Sequence, residues 1–214
     1  MNAFSVVEQF ERRVADYCGA MECVSTSTGT AAIFLALMLE RERVKLFDRE
    51  FSRFDLPIVE CPARTFISVP MAIKQAGFRL KLVPRAWLFS YQLSPLRVVD
   101  AALDFRARMF VPGTLTCLSF QARKILNIGE GGAILLDDKA EAETLRAMRY
   151  SGRRGPLYRV EDITAMGWHC YMTPEKAARG LHLMEYTRDI RERLPAAAMR
   201  YPDLREAPFF KDDV

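Results

Sequence analysis

Short apolar segments alternate with longer helix-like segments along most of the chain, and this alternation strongly constrains its fold. The segments "RLKLV", "LRVVDAA", "LTCLSF" and "GGAILLDD" are short, apolar and rich in branched side chains, which is typical of buried strands. The run "GTAAIFLALMLERERV" is longer and predicts a helix buried on most sides. Strands that alternate with helices favour an α/β fold, with a mostly parallel central sheet flanked by helices.

Two further helices are predicted from their spacing and their ends. Val7, Phe10, Val14 and Cys18 recur at helical intervals, and Gly19 is expected to end that helix. The segment "TPEKAARGLHLMEYTRDIRERL" predicts a long helix with a threonine cap followed by proline. No internal repeat or linker divides the sequence, so residues 1–214 are predicted to form a single domain. The least regular stretch is "VPRAWLFSYQLSP".

Composition and charge exclude several classes of protein. Half of the residues are hydrophobic and 27% are charged, which fits a globular protein with a substantial core. The net charge of +4 is a mild basic excess, and the tightest basic cluster, at residues 146–154, lacks the interleaved aromatic residues of a single-strand binder. No uncharged apolar run approaches the length of a membrane span. We therefore expect no nucleic-acid or membrane partner, and a small molecule that carries phosphate fits this balance better.

Five cysteines are present, at positions 18, 23, 61, 117 and 170. Their number is odd and no pair has CxxC spacing, so neither a zinc site nor a disulfide framework is indicated. The beginning of the chain has an early acidic residue and no long apolar core, unlike a signal peptide. We interpret the cysteines as reduced thiols in a cytoplasmic protein, and we predict no metal site.

The segment Ser25 to Ile33, "STSTGTAAI", combines the end of a strand, a turn of small residues and the start of a helix. Free amide groups and a partial positive charge at a helix N-terminus can hold a phosphate there. The alternative is an ordinary strand-to-helix turn in which Thr28 or Thr30 caps the helix. The local pattern leaves both open.

Asp100 lies at the end of a predicted strand and Phe66 lies just after one, and each allows two interpretations. Asp100 ends the apolar strand of "RVVDAAL", where an acid would face the crevice in which α/β proteins bind ligands. It could equally cap the turn that follows. Phe66 could stack on a flat ring or belong to the core.

Lys124 lies between two apolar segments, in "LSFQARKILNIGEGGAILL", and Ser119 precedes it by five residues. A lysine in a loop is most often solvated. A desolvated lysine with a lowered pKa would instead be a nucleophile able to form a Schiff base with a carbonyl. The hydroxyl of Ser119 could donate to a phosphate.

Taken together, these features match the needs of a pyridoxal phosphate site. That cofactor requires an anion-binding turn, an aromatic contact for its ring, a carboxylate for its pyridine nitrogen and a lysine for its aldehyde. The chain presents the corresponding residues in that order.

The sequence resembles the DegT/StrS-type sugar aminotransferases, which are pyridoxal phosphate enzymes of the fold type I aspartate aminotransferase superfamily. The segment "CPARTFISVPMAIKQAGFRLKLV" is similar to the family's Pro-x-x-Thr-Phe segment, and "VVDAAL" to its Asp-Ala-Ala motif. The segment "GTLTCLSFQARKILNIGEGGAILLDD" resembles its Ser-Phe-x-x-x-Lys and Gly-Glu-Gly-Gly block. The resemblance covers roughly residues 5 to 205 in the same order.

The resemblance implies a role for each candidate residue. Lys124 would be the Schiff-base lysine, Asp100 would pair with the pyridine nitrogen and Phe66 would stack on the ring. The phosphate would be held by Thr30, Ala31 and Ser119. Two subunits share each site in this family, and His169 stands where the family has an asparagine that reaches the partner's phosphate. A homodimer is therefore predicted.

The chain also departs from the family pattern. It resembles a truncated large domain, without the family's C-terminal small domain, and a strand-helix unit is expected to be missing between Val83 and Arg97. Leu103 stands where the family has glutamine or histidine, and a leucine cannot supply that hydrogen bond.

Three hypotheses for function follow. The first is an aminotransferase that moves an amino group from an amino acid, glutamate above all, to a nucleotide-linked keto-sugar. The second is a shortened homologue without activity, which binds the cofactor or pairs with a full-length subunit. The third is a nucleotide-binding α/β module in which Lys124 has no chemical role.

Overall fold

The structure is a computed structural model and describes residues 4–47, 56–155, 159–186 and 201–213. The helices and strands follow the predicted alternation. Its helices are α1 (Ser5–Cys18), α2 (Gly29–Phe47), α3 (Ser68–Gln75), α4 (Lys139–Arg149) and α5 (Pro174–Tyr186). Its strands are β1 (Glu22–Thr26), β2 (Ile58–Pro62), β3 (Arg79–Val83), β4 (Tyr91–Gln92), β5 (Val98–Asp100), β6 (Leu115–Ser119) and β7 (Gly132–Leu136). Short 3₁₀ helices lie at Val160–Asp162, Leu204–Glu206 and Pro208–Asp213.

The helix ends agree with the sequence-based predictions. Gly19 ends α1 in the left-handed conformation, with φ of 79°, and its amide donates to the carbonyl oxygen of Ala15. The helix α5 begins at Pro174, as predicted, and the rest of the predicted helix after Tyr186 lies outside the described residues.

The central sheet has the strand order β1-β7-β6-β5-β4, and β2 and β3 form a separate parallel pair. Because β7 is antiparallel to both β1 and β6, these two strands run in the same direction, and β5 is parallel to β6. The carboxyl ends of β1, β5 and β6 therefore lie along one edge of the sheet. Ligands of α/β proteins bind at such an edge.

The α/β fold with helices around a central sheet is confirmed, but the sheet is mixed rather than mostly parallel. Among the described residues, the pairings of β7 with β1 and β6 and of β4 with β5 are antiparallel. The reason lies in the connections. The link from β6 to β7 contains no crossover helix, and residues 93–97 turn β4 back onto β5, so each pair forms without a parallel crossover.

Helices cover both faces of the sheet, and the alternation of side chains along each strand creates two hydrophobic clusters. Val24 and Ile134 point into the cluster formed with α2, α3 and α4. Cys23 and Leu135, their neighbours in the chain, point into the opposite cluster with α1 and α5. All five residues of β7 are buried, because this strand lies inside the sheet between two helical layers.

Gly132 allows an unusually close approach of two backbone segments. It pairs with Thr26 of β1 on one side and with Ser119 of β6 on the other. The turn at Thr28 and Gly29 crosses directly over it, so that a Cβ on Gly132 would lie 2.6 Å from the amide nitrogen of Gly29 and would also collide with the carbonyl oxygen of Thr28. The absence of a side chain at position 132 therefore sets where α2 begins.

We predict that Gly132→Ala lowers the free energy of unfolding by about 2 kcal/mol, because the added methyl group meets backbone atoms that cannot turn away. Urea denaturation followed by circular dichroism measures this difference. Gly155→Ala is the control, since a Cβ there has no described neighbour within 4 Å. Equal stability of the two variants would contradict the close approach.

Candidate active site

A cavity of about 610 Å³ opens at the edge where β1, β5 and β6 end. Five of the seven residues singled out from the sequence line it, and these are Thr30, Phe66, Asp100, Ser119 and Lys124. Ala31 and His169 are not among the lining residues. The structure thus brings together side chains that are as far as 94 positions apart in the sequence, from Thr30 to Lys124.

The N-terminus of α2 forms one wall of the cavity. Thr28 caps this helix, because its Oγ1 accepts a hydrogen bond of 2.9 Å from the amide of Ala31. The hydroxyl of Thr30 donates to Ser68 Oγ at 2.8 Å. Thr28 is therefore a helix cap, as in the second interpretation, and the turn also lines the cavity, where phosphate binding stays a prediction. The amide of Ala31 is already engaged by this cap.

Ser119 reaches the same wall from β6. A Cβ on Gly29 would lie 2.8 Å from the Cβ of Ser119 and 3.0 Å from its Oγ, so position 29 has no room for a side chain. This close packing holds the serine hydroxyl beside the N-terminus of α2. A hydroxyl group and a helix N-terminus together suit an anion.

Asp100 ends β5 and is only 5% exposed, although it lines the cavity. Its Oδ1 accepts a hydrogen bond from the amide of Ala102 at 2.9 Å, and its Oδ2 accepts one from the hydroxyl of Tyr91 at 2.8 Å. Burial raises the pKa of this carboxyl group, while the two hydrogen bonds and the positive charge of Lys124 oppose the rise. Asp100 thus closes a turn and also faces the cavity.

Lys124 lies in the loop between β6 and β7. The loop is fixed by hydrogen bonds from the amide of Lys124 to the Gln121 carbonyl at 2.8 Å and from the amide of Ile128 to the Phe120 carbonyl at 3.1 Å. Burial lowers the pKa of the lysine from the ordinary value of 10.5, and the negative charge of Asp100 opposes this effect. A partly desolvated lysine carries more of the neutral amine, which is the nucleophilic form.

Aromatic side chains surround the cavity, and only Phe66 was singled out from the sequence. Phe66 is 55% exposed, so it is not a core residue. Trp87 and Tyr201 also line the cavity, with nearly parallel rings whose centroids are 6.2 Å apart. The indole of Trp87 donates to the Arg64 carbonyl at 2.8 Å, and Arg64 donates to the carbonyl of Tyr201 at 3.1 Å.

Sequence reasoning missed Thr65, Trp87, Tyr91 and Tyr201. Thr65, which also lines the cavity, stands next to Phe66. Trp87 and Tyr91 belong to the segment with the least regular pattern, where the two large aromatic residues themselves were the available signal. No local pattern marks Tyr201, which reaches the cavity only through the fold.

His169 and Leu103 are the two candidate positions at which the resemblance implies a departure from the family pattern. His169 is exposed, and its ring lies 4.9 Å from that of Tyr171, outside the cavity. A role for it toward a second subunit stays a prediction. Leu103 lines the cavity, where its side chain offers no hydrogen bond.

The part of the chain that the structure describes contains no cluster of three or more histidine, cysteine or acidic side chains that could hold a metal ion. Within the same residues, no helix has the length and apolar character needed to span a membrane. The five cysteines are free, and burial raises the pKa of Cys18 to about 12 and that of Cys170 to about 11.

We predict that Asp100→Asn increases the free energy of unfolding at neutral pH. Because the pKa of Asp100 is raised in the folded state, its buried charge costs stability at any pH above that raised value. The gain from the neutral asparagine should fade as the pH falls toward the ordinary value of 3.8, since both proteins then carry a neutral group. Urea denaturation at several pH values tests this, and a loss of stability at neutral pH would contradict it.

Comparison with known proteins identifies the family. The model of the DegT/DnrJ/EryC1/StrS aminotransferase family matches residues 2–83 and 111–211. The two matched blocks contain Thr30, Phe66, Ser119 and Lys124. They leave out residues 84–110, which include Tyr91 and Asp100 and coincide in part with the expected deletion.

Two curated relatives are similar in sequence. The spore coat polysaccharide biosynthesis protein SpsC of Bacillus subtilis is 27% identical over 97% of this chain and 65% of its own length. The L-glutamine:scyllo-inosose aminotransferase of Streptomyces griseus is 29% identical over 72% of this chain and 44% of its own length. The chain thus spans less than two thirds of these relatives.

A solved structure supports the fold. The crystal structure of NtdA from Bacillus subtilis with bound cofactor PMP superimposes with a TM-score of 0.68 at 20% sequence identity, covering 85% of this chain and 48% of that one. The cofactor class expected from the sequence, pyridoxal phosphate, is that of the family. With most of its residues in the two matched blocks, the chain belongs to the DegT/DnrJ/EryC1/StrS aminotransferase family.

Proposed function

We propose that the chain forms the pyridoxal phosphate-binding part of an aminotransferase that acts on a sugar-like ketone. The observation that carries the proposal is the convergence of Lys124, Asp100, Ser119 and the N-terminus of α2 on one cavity. A buried acid and a partly desolvated lysine that line the same cavity both cost stability, and such perturbed pairs are typical of functional sites.

The chemistry of the cavity walls fits pyridoxal phosphate. The N-terminus of α2 and Ser119 offer donors for the phosphate, and Asp100 offers a carboxylate for the ring nitrogen. Phe66, with more than half of its surface exposed, is available to stack on the ring. The volume of about 610 Å³ lies in the range of ordinary cofactor sites.

Lys124 and Asp100 have distinct roles in the proposed reaction. The neutral amine of Lys124 would hold the cofactor through its aldehyde group, with loss of water, and would act as the base that takes a proton from the amino donor's α-carbon and returns it. Asp100 keeps a proton on the ring nitrogen. When bound, the cofactor supplies an electron-poor ring that stabilises negative charge on that carbon.

For the substrates, we propose glutamate as amino donor and a nucleotide-linked keto-sugar as acceptor. The names of the two curated relatives support an acceptor related to sugars, since one refers to polysaccharide biosynthesis and the other to an aminotransferase for scyllo-inosose. The second name contains glutamine, so glutamine should be compared with glutamate as the amino donor. The mild basic excess of the chain agrees with an acceptor that carries phosphate.

We also propose that residues 1–214 form a single domain and that the protein is located in the cytoplasm. It would form a homodimer in which His169 of each subunit contributes to the partner's site. The exposure of His169 agrees with a contact to a second subunit. The free cysteines agree with a reducing compartment.

The test is covalent labelling of the protein with pyridoxal phosphate. After borohydride reduction, intact mass should rise by one reduced cofactor, and the visible band should fade when glutamate or glutamine is added before reduction. Lys124→Ala should abolish the mass increase with little loss of stability, whereas Lys139→Ala, at an exposed position of α4, should retain it. A mass increase that survives in Lys124→Ala would overturn the assignment of the nucleophile.

A second variant separates binding from turnover. Asp100→Asn should keep the mass increase but slow the reaction with the amino donor about a hundredfold or more, the range for losing a group that controls a proton. Stopped-flow absorbance measures this rate. An unchanged rate would remove Asp100 from the mechanism.

The second candidate function, a homologue that binds the cofactor without turnover, is favoured by Leu103. This residue lines the cavity, and the resemblance implies a glutamine or histidine at its position, which would supply a hydrogen bond that leucine cannot. A wild-type protein that gains the cofactor mass but reacts with neither glutamate nor glutamine would establish this alternative. A protein that stays colourless with pyridoxal phosphate would instead favour the nucleotide-binding module.

A further inference from the structure

Tyr91 lies behind the cavity and is in direct contact with Asp100. The two residues are direct partners in the antiparallel pairing of β4 with β5, so both side chains project from the same face of the sheet. The strand β4 consists of Tyr91 and Gln92 alone. This short pairing therefore fixes the phenol beside the carboxylate.

The hydrogen bonds have a defined direction. The hydroxyl of Tyr91 donates its one hydrogen to Asp100 Oδ2 at 2.8 Å. Thr65 Oγ1 is also hydrogen-bonded to the oxygen of Tyr91, and since the phenol hydrogen is already used, the threonine must be the donor there. A chain of donors thus runs from Thr65 through Tyr91 to the carboxylate.

All three groups are removed from solvent. Thr65 is 2% exposed, Tyr91 6% and Asp100 5%. Hydrogen bonds to an ionised group are stronger than neutral ones, and a donor chain strengthens its last member in a dry environment. Among the described residues, Tyr91 is the one side chain that donates a hydrogen bond to Asp100.

The other groups around Asp100 give less support to its charge. Burial raises the pKa of Cys61 of β2 and Cys117 of β6, and the negative charge of Asp100 raises it further, so both thiols stay neutral. Burial and the negative charge of Asp100 likewise raise the pKa of the Tyr201 phenol. The positive charge of Lys124, in the β6–β7 loop, lowers the pKa of Asp100. In the proposed function, however, this amine is bonded to the cofactor and is no longer a free ammonium group.

We propose that Tyr91 is a positioning residue for Asp100, and that the donor chain from Thr65 through Tyr91 holds the carboxylate ionised and turned toward the cofactor's ring nitrogen. The inference rests on the proposed function and adds to it a residue from the stretch that the family model does not match. Oδ1 and Oδ2 each keep a free lone pair for a donor in the cavity, because each accepts one described hydrogen bond.

The experiment compares Tyr91→Phe with wild-type protein by two NMR readouts. The first is the ¹⁵N signal of pyridoxal phosphate labelled at its ring nitrogen, bound at neutral pH. In Tyr91→Phe this signal should move toward the unprotonated position, because a carboxylate without its donor takes more of the shared proton. The affinity for the cofactor should also fall about tenfold, as expected for losing one hydrogen bond to a charged group.

The second readout needs no cofactor. The ¹³C signal of the Asp100 carboxyl group, assigned with Asp100→Asn, should titrate at higher pH in Tyr91→Phe than in the wild type. Tyr150→Phe makes the same change in a buried tyrosine outside the cavity and should leave both readouts unchanged. A merely structural role of Tyr91 would alter stability without moving either signal.

Thr65→Val and Thr65→Ser form an independent pair should Tyr91→Phe fail to fold. Valine removes the donor at nearly the same volume and should shift the Asp100 titration upward, whereas serine keeps the hydroxyl and should not. Unchanged titrations in Tyr91→Phe, or equal titrations in the threonine pair, would overturn the inference. Failure of the wild type to bind pyridoxal phosphate would overturn the proposed function, and the carboxyl titration would still decide the role of Tyr91.

Discussion

The close contact between Gly132 and the turn at Thr28 and Gly29 determines the arrangement of the site. Because Gly132 carries no side chain, the chain leaving β1 can cross over the start of β7 and begin α2 directly beside Ser119. A second glycine, Gly29, lets the serine pack against the helix N-terminus. The wall of the cavity at the N-terminus of α2 is thus built from backbone atoms and short side chains that are closely packed.

Two other residues that line the cavity carry charged groups whose burial opposes folding. The buried carboxylate of Asp100 and the partly desolvated amine of Lys124 each lose hydration in the folded state. Tyr91, Thr65 and the amide of Ala102 offset part of this cost for Asp100. Such a combination, a firm backbone wall facing destabilised charged groups, is expected where a site serves chemistry rather than stability.

The sequence predicted most of the helices and strands and five residues that line the cavity, but not how these elements are arranged. The pattern of apolar residues distinguished strands from helices. Gly19 and Pro174 marked helix ends because of the backbone conformations that glycine and proline favour. The mixed sheet was not predictable, because local pattern does not show that β7 returns antiparallel between β1 and β6. Tyr91 and Tyr201 were missed for a related reason, since only the pairing of β4 with β5 and the packing of residues 201–213 bring them to Asp100 and the cavity.

The most direct test of the central claim is a crystal structure of the protein grown with pyridoxal phosphate. The account predicts continuous electron density between Lys124 Nζ and the cofactor, with the ring nitrogen at hydrogen-bond distance from Asp100 and the phosphate at the N-terminus of α2 beside Ser119. Cofactor density elsewhere on the protein, or a cofactor in the cavity whose ring nitrogen faces away from Asp100, would contradict it.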